Sequence, residues 1–342
     1  MVKVLIVDDS PLIRGLLKEI LNQGNGIEVV GVAEDPYQAR ELIKSTAPDV
    51  LTLDIEMPRM NGISFLKNLM RLRPMPVVMI STLTQEGSPA TIEALELGAV
   101  DFVSKPTSHV IEQLQSYSDI LQKKVKVAAK ARVRTFKAPK SERQLEVGTS
   151  FTFAHNAILA IGASTGGTEA IREVLMRLPT HAPPVVITQH IPPVFSTSFA
   201  QRMDRTCAVS VKEAEDGDML KPGHVFIAPG DKHLKVERVS SGYVCRLDDG
   251  EPVNRHKPSV EVLFNSLVPI GKHVCAVMLT GMGSDGAKAM LALKKNGAKT
   301  FAQDELSSVV WGMPRAAYEL GAVQSLVPLS KVAETMLDVV KK

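Results

Sequence analysis

Short apolar runs alternate with stretches of helical periodicity along the whole chain, in two separate series. The first series is KVLIVDD (3–9), EVVGVA (28–33), VLTLDIE (50–56), VVMISTL (77–83) and DFVSKP (101–106). Between these runs the apolar spacing is close to 3.6, as in Leu12, Leu16, Leu17 and Ile20. The second series is NAILAIG (156–162), PVVITQH (184–190), HVFIAPG (224–230), HVCAVMLTG (273–281) and AKTFAQD (298–304), with a helical pattern over 168–178. Strands that alternate with helices call for a doubly wound, mainly parallel sheet, so the expected fold is α/β twice over. One departure is expected at 235–247, where alternation on both sides of Ser240-Ser241-Gly242 reads as a hairpin.

A chain of 342 residues suits two such domains. Between them, 122–145 carries nine Lys/Arg against the single acid Glu142. This stripe alone supplies +8 of a net charge of +3, which leaves −5 for everything else and gives neither flanking region a nucleic-acid-binding face. We assign 1–121 and 153–342 to the domains and 122–152 to a basic linker, partly helical at its start. Two aspartates after four apolar residues exclude a secretory leader, and no run reaches the 18 apolar residues of a membrane span. Three cysteines without a CxxC pair fit a reducing compartment. The expectation is a cytoplasmic protein with no membrane insertion.

In an open α/β sheet, ligands sit beyond the carboxyl ends of the strands. In the first series those ends carry Asp8, Asp9, Asp54, Ser81-Thr82 and Lys105. Any one acid is explained as a helix cap, Asp9 before Ser10-Pro11 for example. Three acids at one edge repel, and a divalent cation such as Mg²⁺ relieves them. A carboxylate beside Mg²⁺, with a lysine and a hydroxyl to hold phosphoryl oxygens, can form an aspartyl phosphate. The segments VDDS (7–10), LDIEMPRMNG (53–62), IST (80–82) and FVSKP (102–106) resemble a response-regulator receiver over about residues 1–120. That resemblance implies a flavodoxin-like sheet in the order 2-1-3-4-5 and Asp54 as phosphoacceptor. It further implies a Mg²⁺ site from Asp8, Asp9, Asp54 and the Glu56 carbonyl. Lys105 would sit on the phosphoryl group, with Ser81 or Thr82 and Phe102 as switch positions.

The second series begins with Gly-Ala-Ser-Thr-Gly (162–166), a G-x-S-x-G sequence placed where a nucleophile elbow belongs, between a strand and a helix. A helix-capping turn has the same composition. His190 alone among the eight histidines directly ends an unbroken apolar run, and Asp285 follows another within GMGSDGA (281–287). Ser164, His190 and Asp285 therefore form a candidate triad, with the Thr165 and Met282 N–H groups as candidate oxyanion donors. The order Ser, His, Asp differs from that of α/β-hydrolases. His256, in a polar loop, is read as orienting substrate or capping a helix. A rival reading takes GMGSDG as G-x-G-x-x-G, with Asp304 following as a dinucleotide fingerprint would require.

NAILAIGASTGG (156–167), QHIPP (189–193), IAPGDKH (227–233), NRHKPSV (254–260) and LTGMGSDGA (279–287) resemble the catalytic domain of the CheB family of chemotaxis methylesterases. With the receiver, the resemblance spans nearly the whole chain. It implies demethylation of glutamate γ-methyl esters, and deamidation of certain glutamines, on methyl-accepting chemotaxis receptors. A chemotaxis histidine kinase would be the phosphodonor, the receiver would inhibit the esterase until Asp54 is phosphorylated, and the esterase itself would need no cofactor. The alternative is a response regulator whose second domain is a dinucleotide-binding or non-enzymatic effector module.

Overall fold

The computed structural model describes residues 1–57, 60–81, 88–105, 114–133 and 152–342. It divides into two compact units, Met1–Ala138 and Pro139–Lys342. In the first, strands β1 (Val2–Val7), β2 (Ile27–Ala33), β3 (Val50–Asp54), β4 (Val77–Ser81) and β5 (Asp101–Ser104) alternate with helices α1 (Pro11–Gln23), α2 (Pro36–Thr46), α3 (Gly62–Leu72), α4 (Ser88–Glu96) and α5 (Leu114–Ala128). The strands pair in parallel in the order β2-β1-β3-β4-β5. Every residue of β3 and β4 is buried, as expected of central strands covered on both faces. Helix starts follow local chemistry: Ser10 and Asp35 accept N–H bonds from the first turns of α1 and α2, and a proline follows each.

The basic stretch from 122 begins inside α5, which buries Tyr117, Leu121, Val125 and Ala128. Gln122 Nε2 donates to Ile20 O at 2.8 Å, tying this helix to α1. Residues 122–128 thus pack on the first sheet, because apolar side chains at helical spacing survive among the lysines. The start expected for this helix, near Ser108, lies outside the described residues.

In the second unit the strands are β6 (Ile158–Ala163), β7 (Val185–Gln189), β8 (Ser210–Glu213), β9 (His224–Ile227), β10 (His233–Val239), β11 (Gly242–Asp248), β12 (Val274–Met278), β13 (Lys299–Gln303) and β14 (Ser325–Val327). The helices are α6 (Gly167–Leu175), α7 (Pro193–Thr206), α8 (Val260–Leu267), α9 (Ala287–Lys295), α10 (Met313–Glu319) and α11 (Leu329–Asp338). Seven strands pair in parallel in the order β14-β13-β12-β6-β7-β9-β8. β10 and β11 form the separate antiparallel hairpin expected from their alternation. Val260, Leu263, Phe264 and Leu267 of α8 pack with Met278, Met290 and Leu293 in one apolar cluster. The chain starts at β6, moves outward through β7, then returns to β12 on the other side of β6. Strand order therefore reverses between β6 and β12, the place where doubly wound sheets open a crevice at their carboxyl edge.

Candidate functional site

In the first unit, the carboxyl ends of β1 and β3 bring Asp8, Asp9 and Asp54 together, with one ligand oxygen of each within 4.8 Å of the others. Asp8 and Asp54 are buried; Asp9 is exposed. From the end of β5, Lys105 Nζ bonds Asp54 Oδ2 at 2.7 Å and stands 3.6 Å from Asp8 Oδ2. Burial pushes the Asp54 carboxyl up to about 6, against the Lys105 hydrogen bond, and the neighbouring Asp8 charge adds to the rise. Asp8 is raised as well, again chiefly by burial. Two of the three carboxylates share a single lysine, and Asp8 Oδ2 is buried without a hydrogen-bond partner among the described residues. A hard divalent cation with oxygen ligands fits this donor set.

Glu56, two residues past Asp54, donates its N–H to Asp54 Oδ1 at 3.3 Å. Ser81 reaches the same edge, where its hydroxyl pairs with Thr91 of α4 at 2.6 Å. Thr82 lies outside the described residues. Phe102 is buried on β5, and Lys124 Nζ lies 5.2 Å from its ring centroid and 2.7 Å from its carbonyl.

In the second unit, the β6–β7 register pairs Ala163 with Gln189, so Ser164 and His190 follow directly on the ends of neighbouring strands. His190 N–H donates to Ala163 O at 3.1 Å. The turn at Ser164 is clamped: its N–H donates to Thr280 O at 3.1 Å, and its carbonyl accepts from Gly167 N at 2.7 Å and Gln189 Nε2 at 2.9 Å. Gly166 has φ 74°, a left-handed turn that lets α6 start at once. On the other side, a Cβ at Gly281 would come 2.8 Å from Ser164 Cβ and 2.5 Å from Met313 Sδ, so only glycine lets the two turns close on each other. Met282, beside it, is half-buried and its N–H has no partner among the described residues. Thr165 is buried, and its carbonyl accepts from Thr280 Oγ1 at 3.0 Å.

His190 Nε2 lies 2.8 Å from Asp285 Oδ2, although the two residues are 95 positions apart. A carboxylate accepts, so Nε2 carries the proton in the neutral ring and Nδ1 keeps the lone pair. Nδ1 is buried without a partner among the described residues. Asp285 is itself held from several sides. Oδ1 accepts from Asn254 Nδ2 and Ser259 Oγ, each at 2.8 Å, and Oδ2 from the Val260 N–H at 2.7 Å, at the start of α8. Burial alone would raise this carboxyl, but the His190, Asn254 and Ser259 hydrogen bonds hold it down at about 2. The positive end of α8 works in the same direction.

His256 stacks on His190, with centroids 3.7 Å apart and planes 10° from parallel. The cap position of α8 is taken by Ser259, so His256 is a face contact of His190 and not a helix cap. Behind it, His233 Nδ1 accepts from the Ser259 N–H at 3.1 Å. The sequence reading missed Asn254 and Ser259 as groups that hold Asp285. The available signal was their position in the one polar loop that also carries His256. The dinucleotide reading of GMGSDG fails on position. Asp285 is turned inward onto His190, and Asp304 Oδ1 accepts from the Ser307 N–H at 2.9 Å within its own turn.

Comparison with known proteins supplies the context. The sequence profile described as CheB methylesterase matches residues 159–336, and that of the response regulator receiver domain matches 4–115. A Saccharophagus degradans protein named protein-glutamate methylesterase/protein-glutamine glutaminase 2 is 55% identical over 98% of both chains. A Salmonella typhi protein of the same activity name is 52% identical over 98% of this chain and 96% of its own. The crystal structure of the Thermotoga maritima CheB methylesterase catalytic domain superposes with a TM-score of 0.53 at 38% identity, covering 55% of this chain and all of the other.

Proposed function

The chain belongs to the CheB methylesterase family, with a receiver domain ahead of its catalytic domain, and we propose that Ser164, His190 and Asp285 carry its chemistry. The activity is hydrolysis of glutamate γ-methyl esters, and of the corresponding glutamine amides, on the intracellular helices of chemoreceptors. The observation that carries this assignment is the divided role of the His190 ring: Nε2 is engaged by Asp285, while buried Nδ1 faces no competing partner among the described residues.

As Ser164 Oγ attacks the side-chain carbonyl, its proton moves to His190 Nδ1. The N–H groups of Thr165 and Met282 receive the developing oxyanion, a contribution of roughly 3 to 4 kcal/mol for each effective donor. Asp285 fixes the ring tautomer and stabilises the imidazolium. Collapse expels methoxide, or the amide nitrogen, which takes the proton from Nδ1 and leaves as methanol or ammonia. Water then gives its proton to Nδ1 and attacks the acyl-serine. When the ester breaks, the proton returns to Ser164 Oγ and the free carboxylate is released. Methanol release from methylated receptor membranes is expected to vanish in Ser164→Ala; undiminished release would refute the assignment.

Asp54 is the phosphoacceptor in this reading, fed by a chemotaxis kinase. Asp8, Asp9, Asp54 and the Glu56 carbonyl would hold Mg²⁺, which when bound offsets the charge of the incoming phosphoryl group. Lys105 pairs with the phosphoryl oxygens, and Ser81 leaves Thr91 to meet them. Phosphorylation relieves an inhibition of the esterase by the receiver. Each tenfold activation requires about 1.4 kcal/mol of preference for the active arrangement. Residues 152–342 alone are therefore expected to exceed the unphosphorylated full chain in basal esterase rate, and equal rates would count against inhibition by the receiver. The enzyme works in the cytoplasm and needs no cofactor for ester hydrolysis.

A further inference from the structure

The loop between β11 and α8 delivers Asn254 and Ser259 to Asp285 and lays His256 against His190. Arg255 sits among these residues and has no part in the chemistry. Val253 and His256 exchange backbone hydrogen bonds of 3.1 and 3.0 Å, closing a tight turn with Asn254 and Arg255 at its two central positions. Both central residues are left-handed, with φ of 54° and 68°. Turns of this kind select Asn followed by Gly. Asn254 obeys that preference. Arg255 does not, because in this region its Cβ crowds the following carbonyl.

Among the described residues, nothing recompenses that crowding. Arg255 is exposed, and among the described residues its guanidinium forms no ion pair or hydrogen bond. The neighbouring cation differs: Lys257 Nζ is 2.7 Å from Asp249. A strained residue with an unengaged charged head, next to groups that hold a reactive pair, points outward to a ligand.

We propose that Arg255 is a substrate-recognition residue whose guanidinium pairs with a carboxylate of the protein substrate flanking the reacting side chain. The proposal deepens the methylesterase reading and rests on it. Each turnover converts a neutral ester or amide into a carboxylate, so a segment with several such sites grows acidic around those still to react. A planar fork of N–H donors matches a carboxylate in a bidentate manner that a lysine cannot reproduce.

The test uses the full-length chain as wild type, Arg255→Gly and Arg255→Lys. Methanol release is measured on methylated receptor membranes and on N-acetylglutamate γ-methyl ester α-amide, a small neutral ester, together with the melting temperature. In Arg255→Gly the ratio of kcat/KM for receptor over small ester is expected to fall about fivefold, carried by KM. The salt dependence of the receptor KM flattens, and the melting temperature stays equal or rises as the turn relaxes. Arg255→Lys retains part of the ratio. An unchanged ratio, or equal losses on both substrates with a lower melting temperature, would overturn the proposal. A wild-type enzyme inert on both esters would instead sink the methylesterase reading, and the proposal with it.

Discussion

Two buried aspartates at the carboxyl edges of two parallel sheets have been driven in opposite directions. Asp54, 1% exposed, is pushed up to about 6, whereas Asp285, 3% exposed, is held down at about 2. Burial acts upward on both, so what surrounds them makes the difference. Asp54 has one lysine, shared with Asp8, and a second buried acid beside it. Asp285 accepts from an imidazole, an amide, a hydroxyl and a helix-terminal N–H. The first cluster retains excess negative charge, which suits a cation. The second is electrostatically complete, and its stable charge is what an imidazolium needs beside it.

The largest test of this contrast is to neutralise each acid in turn. Asp285→Asn removes the charge that stabilises the His190 cation, and kcat is expected to fall on the order of 10⁴-fold in a steady-state esterase assay. Asp54→Asn is expected to leave kcat of the esterase unit unchanged and to abolish labelling by a small phosphodonor. A mild loss for Asp285→Asn, within tenfold, would mean that Asp285 is only a structural acceptor.

Acid titration sharpens the same comparison. Asp54 binds its proton more tightly folded than unfolded, so its ionisation destabilises the receiver above about pH 6, and this penalty fades as pH falls from about 6 towards 4. Asp285 binds its proton less tightly folded. Its contribution is complete above about pH 4 and is lost as pH falls towards 2. Each shift of about two units corresponds to about 2 to 3 kcal/mol. Calorimetry of the two domains is expected to show these opposite trends over the two windows, with Asp54→Asn and Asp285→Asn each flattening its own. Parallel trends would break the comparison.

A smaller effect is expected at His256. The stacked ring restricts the His190 imidazole from one face, and such aromatic pairs are worth about 0.5 to 1.5 kcal/mol. His256→Ala is expected to lower kcat roughly threefold to tenfold, with Phe restoring most of the loss. An unchanged kcat would leave the stack without a role.

The sheets were legible in the sequence wherever a strand is buried on both faces. VVMI of β4 and VCAVM of β12 are apolar runs because no face meets solvent. SVKE of β8 and SLV of β14 escaped notice because they are short edge strands with few buried positions. The same physics divides the site. Ser164 and His190 directly follow the fully buried strands β6 and β7 and could be read directly. Asn254 and Ser259 lie in a polar loop and reach Asp285 across 31 and 26 residues, a folding-back that no local periodicity encodes. His256 was noticed, but its stacking on His190 depends on the same return of the chain.

The proposed chemistry requires that His190 make Ser164 a nucleophile. Treating the enzyme with a phosphonofluoridate and mapping the adduct by peptide mass spectrometry tests this most directly. One covalent adduct is expected, on Ser164, in the wild type, with its loss in His190→Ala. An adduct elsewhere, or one on Ser164 that forms as fast without His190, would contradict it.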